Sequence, residues 1–214
     1  MPSNFQTFYK NVLEHTKTTG SIAPSSRHLA AAITRFVERQ DAPILILEVG
    51  PGTGPFTDFL VKKLREGDLL ELCEMNGSFV EHLQRRLEEE PDWRAHKEQV
   101  TIHHKPVQEL EEKNPFDFIV SGLPFNNFEP DLVRSILSSY SRLLKPEGVL
   151  TFFEYAGVRS MKKLVAGNQE RMRVNAVEAV LREFLTKYEK EQIFVALNLP
   201  PSVVHVCRIR EPFK

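Results

Sequence analysis

The stretch Ile44-Leu-Ile-Leu-Glu-Val-Gly-Pro-Gly-Thr-Gly54 decides the fold of this chain. Its first half is an apolar, partly β-branched run, which is typical of a parallel strand buried on both faces. Three alternating glycines end the run, and glycine permits both a sharp turn and a close approach of the backbone to a ligand. The stretch therefore predicts a buried strand, a glycine-rich loop, and a helix whose N-terminus points at a ligand.

The spacing of the glycines separates this loop from the common dinucleotide-binding pattern. That pattern, Gly-x-Gly-x-x-Gly, would place a third glycine three residues after Gly52. The chain has Pro55 at that position and carries Gly54 one place early. The ligand of this loop is therefore expected to differ from a dinucleotide, although a glycine-rich turn of some other α/β enzyme remains an alternative.

Two acidic residues accompany the glycine loop. Glu48 precedes it, and Glu74 ends the next apolar run, Leu69–Cys73. Glu74 lies about twenty residues past the last glycine, where folds of this kind hold the hydroxyl pair of a ribose. Together these features resemble the cofactor site of class I S-adenosylmethionine (SAM) methyltransferases. The resemblance implies a SAM site that includes Glu48, Gly50, Gly52, Gly54 and Glu74.

Length and composition limit the classes of protein that the chain can be. Its 214 residues suit one domain with an ample core, and its formal net charge of −1 does not favour a nucleic-acid partner. Its two cysteines lie apart without metal-ligand spacing, which favours a reducing cytosol. No apolar run approaches the roughly 20 residues of a membrane span, and no signal peptide opens the chain. We expect a cytoplasmic protein that at most lies on the inner face of the membrane.

Strand and helix patterns alternate along the chain. Apolar runs predict strands at 44–49, 69–74, 100–103, 116–121, 148–154, 192–198 and 203–209, with helices between them that include 130–143 and 169–188. The last two strands are joined too tightly for a helical crossover, so they should pair antiparallel. The expected fold is α/β, a Rossmann-like doubly wound sheet of the class I SAM-methyltransferase type with a C-terminal antiparallel hairpin.

Residues 4–16 predict an amphipathic helix added before this sheet. Its apolar residues recur with helical spacing and are Phe5, Phe8, Tyr9, Val12 and Leu13. Such a helix can lie in the headgroup boundary of a membrane with its aromatic face buried, but packing that face on the protein core is equally ordinary. We therefore divide the chain into an N-terminal amphipathic helix at 1–17 and a methyltransferase domain at 18–214.

A second motif, Ser121-Gly-Leu-Pro-Phe-Asn-Asn-Phe128, follows the fourth predicted strand. Ligands of doubly wound sheets bind beyond the carboxyl ends of the strands, so this segment should border the transferable methyl group. Pro124 restricts the backbone on both sides and would hold nearby carbonyls in one direction. The segment resembles the Asn-Leu-Pro-Tyr loop of ribosomal RNA adenine dimethyltransferases, with Gly122 and Phe125 at its ends. The missing asparagine removes the acceptor that would bind an adenine amine, and a plain proline turn remains the alternative.

Three further stretches, at fixed positions relative to the glycine loop, narrow the resemblance to one family of methyltransferases. They are Thr19–Ala30, Ser121–Phe128 and Asn198–Ser202. In this order they resemble the bacterial phospholipid N-methyltransferases over almost the whole chain. The resemblance implies stepwise N-methylation of phosphatidylethanolamine toward phosphatidylcholine, and an N-terminal helix held to an anionic membrane. A ribosomal RNA adenine N6-dimethyltransferase and an N-methyltransferase of aminolipids or small amines remain the alternatives.

The remaining site residues are expected at the carboxyl ends of the strands. We expect Met75, Pro106 and Val107 to contact the adenine of SAM, and Ser121 to border its methyl group. Catalytic roles fall to Gly122, Leu123 and Tyr155, through backbone carbonyls and one hydroxyl. The expected substrate-binding residues are Phe125, Phe128, Tyr155 and Arg159, which would supply cation–π contacts and a phosphate ligand. The histidines show no ligand spacing, so no metal is predicted.

Overall fold

The computed structural model describes residues 26–38, 41–111, 115–157 and 167–213. The described strands are β1 Leu45–Val49, β2 Leu69–Glu74, β3 Val100–His104, β4 Phe116–Ser121, β5 Leu144–Tyr155, β6 Glu189–Val195 and β7 Ser202–Arg208. The described α-helices are α1 Arg27–Thr34, α2 Thr57–Leu60, α3 Gly77–Glu89, α4 Pro91–Arg94, α5 Pro130–Leu143 and α6 Asn168–Tyr188. The helix predicted at 4–16 lies outside the described residues.

All seven described strands form one sheet, in the order β3-β2-β1-β4-β5-β7-β6. Strands β1 to β5 are parallel, and β7 runs antiparallel to both of its neighbours. The strand order reverses between β1 and β4, where Val49 and Ser121 lie side by side. Ligands of doubly wound sheets bind at this switch point. The predicted α/β fold with a terminal antiparallel hairpin is confirmed.

Helices cover both faces of the sheet because alternate residues of each strand point to opposite sides. In β5, buried Phe152 packs under α5 and α6, a side that we call the α5–α6 face. Its neighbour Phe153 packs with α1, α2 and α3 on the other side, the α1–α3 face. Both faces are therefore continuous apolar layers, which explains why the central strands appear in the sequence as unbroken apolar runs.

The edge strand β6 departs most from its predicted position. It was predicted at 192–198 but begins at Glu189, directly after α6, and ends at Val195. An edge strand has a single neighbour and needs no apolar run, so its polar first residues carried no strand signal. Leu197, which the predicted range included, lies with Leu199 in the exposed turn between β6 and β7.

Ser26 ties the start of α1 to the turn between β6 and β7. Its hydroxyl accepts a hydrogen bond from the Leu29 N–H at 3.2 Å and so caps the N-terminus of the helix. The Ser26 N–H donates to Asn198 Oδ1 at 3.0 Å. Ser26 therefore lies beside this turn. Among the helices of the described ranges, none has the length and apolar character that a membrane span requires.

Candidate active site

The glycine loop that follows β1 has left-handed backbone at each of its glycines. The φ angles are +70° at Gly50, +60° at Gly52 and +87° at Gly54. A Cβ on Gly50 would lie 2.5 Å from Leu123 Cδ2, and one on Gly54 would lie 2.7 Å from the Trp93 ring. A Cβ on Gly52 would meet nothing within 4 Å. The outer two glycines thus satisfy the packing of the protein itself, whereas Gly52 faces open space where a ligand can approach the backbone.

Glu74 connects the end of β2 to this loop. Its Oε2 accepts a hydrogen bond from the Gly52 N–H at 3.1 Å, and its Oε1 accepts one from the Asn76 N–H at 2.8 Å. Burial raises the pKa of Glu74, and these backbone hydrogen bonds act in the opposite direction. The carboxylate is thereby fixed beside the open space at Gly52, with acceptor capacity left for ligand hydroxyls.

Glu48 lies beneath the loop and is fully buried. Its Oε2 accepts a hydrogen bond from the Thr57 hydroxyl at 2.7 Å, and its Oε1 has no hydrogen-bond partner within the described part of the chain. Desolvation raises the pKa of Glu48 to about 8, and the Thr57 hydrogen bond offsets part of this rise. The carboxyl group is therefore mainly protonated at neutral pH, and it supports the loop from below.

Arg86 in α3 supports the loop from outside, which the sequence did not predict. Its guanidinium donates to the Thr53 carbonyl at 2.8 Å and forms ion pairs with Asp58 and Glu90, each at 2.6 Å. It also stacks over the Trp93 ring at 4.2 Å from the ring centre. In the sequence, an arginine on a charged helix is typical of a solvated surface. The lone tryptophan nearby, Trp93, was the one residue that could have indicated a buried contact for Arg86.

A narrow apolar cleft beside Glu74 brings together the residues predicted to contact adenine. Met75, Pro106 and Val107 line it, together with Val49 and Leu123 from the ends of the central strands. The cleft has a volume of about 20 Å³. A larger groove of about 320 Å³ between α6 and β6 contains none of the predicted site residues and does not adjoin the glycine loop. The Gly52 N–H and the Glu74 carboxylate suit the hydroxyl groups of an adenosine-containing cofactor, whereas the cleft has room for about one water molecule, so an adenine ring would lie at its mouth.

Gly122 and Leu123 cross over the glycine loop after β4. The Gly122 N–H donates to the Val49 carbonyl at 2.8 Å. A Cβ on Gly122 would lie 2.6 Å from the Gly50 carbonyl oxygen, a distance that real Cβ atoms essentially never show. The asparagine of the RNA dimethyltransferase loop is thus excluded at position 122 by backbone packing, unless the two loops move apart.

Ser121 shapes this crossing from inside. Its buried hydroxyl accepts a hydrogen bond from the Tyr140 hydroxyl at 2.8 Å and from the Leu123 N–H at 3.4 Å. Burial raises the pKa of Tyr140 well above its ordinary value, so this hydroxyl remains a donor. The side chain of Ser121 is therefore engaged within the protein, and its backbone is the part that adjoins the glycine loop.

Phe125 and Phe128 do not form an open wall, because each is only 1% exposed. The Phe125 ring contacts Phe128 and Phe152 edge to face, at 6.5 and 5.4 Å between ring centres. Arg173 of α6 donates to the Phe128 carbonyl and pairs with Glu170, so this arginine holds the loop in place. The structure does not bring the two rings to a surface where they could contact a ligand.

Tyr155 ends β5 and is half-buried. Its ring packs edge to face on Phe153 at 5.2 Å, on the α1–α3 face. No described residue forms a hydrogen bond with its hydroxyl, and burial raises its pKa. Of the four predicted substrate residues, Tyr155 is the one that the structure places at a strand end with a polar group available. Arg159 lies outside the described residues.

A line of charged residues crosses the α5–α6 face, which the sequence did not predict. Glu154 Oε2 lies 3.3 Å from His205 Nε2, and His205 Nδ1 forms a hydrogen bond with Glu189. The buried imidazole stacks on Phe152 at 5.0 Å. An imidazole between two carboxylates can take a proton on one nitrogen and release one from the other. Its members are distant in sequence and lie on three strands, so no local pattern could reveal it.

Charged and metal-binding groups of the described ranges offer no competing site. No group of three or more His, Cys, Asp or Glu residues is arranged there to hold a metal ion. Both cysteines are buried free thiols. The open space at Gly52 and the adjoining strand ends therefore remain the place where polar groups, backbone donors and an apolar cleft converge.

Comparison with known proteins relates this geometry to methyltransferases. Residues 46–148 match the family described as methyltransferase domain. The chain is 25% identical to an ornithine lipid N-methyltransferase of Singulisphaera acidiphila, over 98% of this chain and 99% of that protein. The family match covers the glycine loop, the cleft and β4, whereas the similarity to the lipid enzyme also includes β6 and β7.

Solved structures share the fold at low identity. The O-methyltransferase TomG of Streptomyces achromogenes, solved with SAM, has a TM-score of 0.64 and 16% identity, over 95% of this chain and 90% of that chain. An O-methyltransferase of Bacillus cereus, solved with S-adenosylhomocysteine, has a TM-score of 0.63 and 14% identity, over 97% and 92%. These likenesses show the fold and its order of elements.

Proposed function

We propose that this chain, a SAM-dependent methyltransferase of class I fold, methylates the amine of a phospholipid headgroup. The methyltransferase domain gives the class of enzyme and its cofactor. One observation supports a lipid amine as the acceptor: the similarity to an ornithine lipid N-methyltransferase covers both chains almost completely. It extends past residue 148 into the strands and helix that flank the acceptor side. Phosphatidylethanolamine is the first acceptor to test.

An ornithine lipid is a second candidate acceptor, since the named relative acts on one. It shares with phosphatidylethanolamine a primary amine in a headgroup at a membrane surface. The packing of Gly122 against Gly50 argues against an adenine acceptor, because it excludes an asparagine at that position. The net charge of −1 also argues against a nucleic-acid substrate.

We assign the cofactor to the glycine loop and the adjoining cleft. Gly50, Gly52 and Gly54 would hold its methionine end, Glu74 its ribose hydroxyls, and the cleft at Met75, Pro106 and Val107 its adenine. When bound there, SAM supplies an electrophilic methyl group. The backbone carbonyls of Gly122 and Leu123 would orient the acceptor amine, and such alignment can supply much of the rate enhancement of a transfer reaction.

The ammonium of a headgroup must lose a proton before its nitrogen can attack. We place this proton on Glu154, whose carboxylate lies at the carboxyl end of β5 and is paired with His205. His205 and Glu189 are positioning residues that can share the proton with it. Tyr155, on the other side of the same strand end, would donate to or accept from the amine. Arg159 is proposed, from the sequence alone, to contact the phosphate.

Residues 1–17 would be the membrane anchor of this enzyme, and residues 18–214 its catalytic domain. This division rests on the amphipathic pattern of residues 4–16. It makes the protein peripheral to the inner face of an anionic membrane. Ser26, which follows this segment, is attached at the carboxyl edge of the sheet, where the acceptor would enter.

An acceptor panel tests the proposal. Purified enzyme and SAM would be incubated separately with phosphatidylethanolamine vesicles, ornithine lipid vesicles, free ethanolamine, free ornithine and ribosomal RNA, with products identified by mass spectrometry. We expect methylated lipid and at most traces of the other products. Methylation of an RNA adenine or of the free amines, with both lipids unchanged, would overturn the proposal. A Glu74→Ala variant, weakened in SAM binding, controls for contaminating activity.

A further inference from the structure

The turn between β6 and β7 exposes an unusual amount of apolar surface. We call residues 194–201 the hairpin tip. Five large apolar side chains of the described residues are exposed: Leu69, Met172, Phe194, Leu197 and Leu199. Three of the five lie in the hairpin tip, and Leu197 and Leu199 are 72% and 84% exposed. Single exposed apolar residues are ordinary, but a cluster of them marks an interaction surface.

The hairpin tip holds its polar residue inward and its leucines outward. Asn198 lies between the two leucines but is only 4% exposed. Its Nδ2 donates to the Pro200 carbonyl at 2.8 Å and to the Ser202 hydroxyl at 2.9 Å. An asparagine in a turn commonly hydrogen-bonds the backbone two residues on, as Asn198 does here. The leucines on either side of it remain at the surface of the turn.

The hairpin tip lies at the edge of the sheet where the acceptor is proposed to enter. Tyr155 pairs with Ser202, and the Ala156 N–H donates to the Pro201 carbonyl at 2.7 Å. Exposed Met172, in the first two turns of α6, lies at the same carboxyl edge. Leu69 starts β2 at the opposite edge. Four of the five exposed large apolar residues thus lie toward the carboxyl edge of the sheet.

Basic residues accompany this apolar edge. Arg27, which follows the Ser26 contact with Asn198, is exposed at the start of α1. Arg171 is exposed in the first turn of α6, next to Met172. The surface of an anionic bilayer has two layers, the acyl boundary and the headgroups. The exposed apolar side chains match the first layer, and the arginines match the second.

We propose that the hairpin tip inserts into the membrane interface and holds the acceptor edge of the sheet against the headgroups. This inference rests on the proposed function, because a lipid amine is the acceptor that requires such contact. Leu197 and Leu199 enter the acyl boundary, and Tyr155 and Glu154 remain at headgroup depth behind them. The hairpin tip is a contact separate from the predicted N-terminal helix, since it lies within the described fold.

The test compares two sets of exposed leucines in the full chain. L197D/L199D charges the hairpin tip, and the control L69D charges an exposed leucine at the opposite edge. Co-sedimentation with vesicles of phosphatidylethanolamine and phosphatidylglycerol measures the partition coefficient. We expect it to fall roughly tenfold or more for L197D/L199D, and to be unchanged for L69D. Calorimetric SAM affinity, expected to be unchanged in both variants, verifies that each is folded.

A second measurement locates the hairpin tip directly. In L199W, the added tryptophan should show a blue-shifted emission on vesicle binding and quenching by brominated acyl chains. Vesicle binding of L197D/L199D equal to wild type would overturn the inference, as would an unshifted tryptophan. A wild-type dimer that L197D/L199D converts to a monomer, without loss of vesicle binding, would assign the hairpin tip to self-association instead.

These outcomes separate the inference from the proposed function. If wild type methylates lipid and L197D/L199D binds vesicles equally well, the hairpin-tip inference fails and the function stands. If wild type methylates no lipid in vesicles or in detergent micelles, the proposed function fails, whatever the vesicle binding of the variants. Deletion of residues 1–17 in both backgrounds then measures the share of binding that belongs to the N-terminal segment.

Discussion

The two halves of the sheet differ in the groups that line their strand ends: backbone groups and glycines in one half, and side chains in the other. The half proposed to hold SAM, β1 to β4 (the cofactor half), would form its site from backbone N–H groups, glycine conformations and the carboxyl groups of Glu48 and Glu74, all close to strand ends. The acceptor half, β5 to β7, forms its site from side chains that meet across strands, such as Glu154 with His205. The family match at residues 46–148 covers the first half, whereas we propose that substrate choice depends on the second. Substitutions in the two halves should therefore have different signatures.

The largest expected effect is at Gly50. Gly50→Ala combines a left-handed backbone with a Cβ 2.5 Å from Leu123, so it should destabilise the fold by about 2–4 kcal/mol. Gly52→Ala has the same kind of backbone strain but meets no atom within 4 Å, so it should cost only about 1 kcal/mol and instead weaken SAM binding. Urea unfolding and calorimetry separate the two effects. Equal losses of stability would contradict the distinction.

The next effect tests the acceptor half. Glu154→Gln should lower kcat roughly 100-fold, the lower end for loss of a general base, and leave the Kd of SAM unchanged. Tyr155→Phe, on the other side of the same strand end, removes one hydrogen bond and should lower kcat by up to about tenfold. His205→Gln should reduce kcat without raising the KM for lipid. If the Glu154→Gln enzyme has the kcat of wild type, Glu154 is not the base of the reaction.

Substitution of Glu74 tests the cofactor half, where SAM affinity and not the use of lipid should change. Glu74→Ala should weaken SAM binding by roughly 1–3 kcal/mol, because ribose hydroxyls lose a charged acceptor. Glu74→Gln keeps one acceptor oxygen for the Gly52 N–H and should lose less. The KM for lipid should remain unchanged in both variants. Calorimetry that finds wild-type SAM affinity in a folded Glu74→Ala protein would exclude Glu74 from the site.

The smallest effect is the change in stability over a single pH unit near neutrality. The pKa of Glu48 is raised from 4.5 to about 8 in the folded protein. The contribution of the protonated Glu48 carboxyl to the free energy of unfolding is therefore fully present below about pH 4.5 and is lost as pH rises through about 8. Relative to Glu48→Gln, which cannot titrate, wild type should lose about 1 kcal/mol of unfolding free energy per pH unit within this window. Urea unfolding near neutral pH measures the difference. Parallel pH profiles of the two proteins would show that Glu48 titrates normally.

The same division explains how much could be predicted from the sequence. The strand at Leu45–Val49, the glycine loop and Glu74 obey local rules of backbone conformation and strand order, and all lie where the pattern indicated. The cleft residues Met75 and Pro106 also follow from strand ends, because parallel strands bring their carboxyl ends to one edge. Local patterns were therefore sufficient for the fold and for the prediction that these residues lie close together.

The acceptor half could not be predicted in the same way. Phe125 and Phe128, which follow β4, were expected to be open and to bind the acceptor, but both rings are buried, Phe125 lies against Phe152, and Arg173 binds the Phe128 carbonyl. Both contacts join segments that are distant in the sequence. The start of β6 was misplaced for a related reason, since an edge strand carries few apolar residues and the leucines beyond it are surface residues.

We infer that the acceptor of this enzyme is an amine held at a membrane surface and not an amine in solution. The most direct measurement compares initial rates of methyl transfer to phosphatidylethanolamine in vesicles and to glycerophosphoethanolamine in solution, at equal headgroup concentration, with products identified by mass spectrometry. We predict faster transfer to the vesicles, and loss of that advantage in L197D/L199D while SAM affinity remains unchanged. Equal or faster transfer to the soluble headgroup by wild type would contradict the claim.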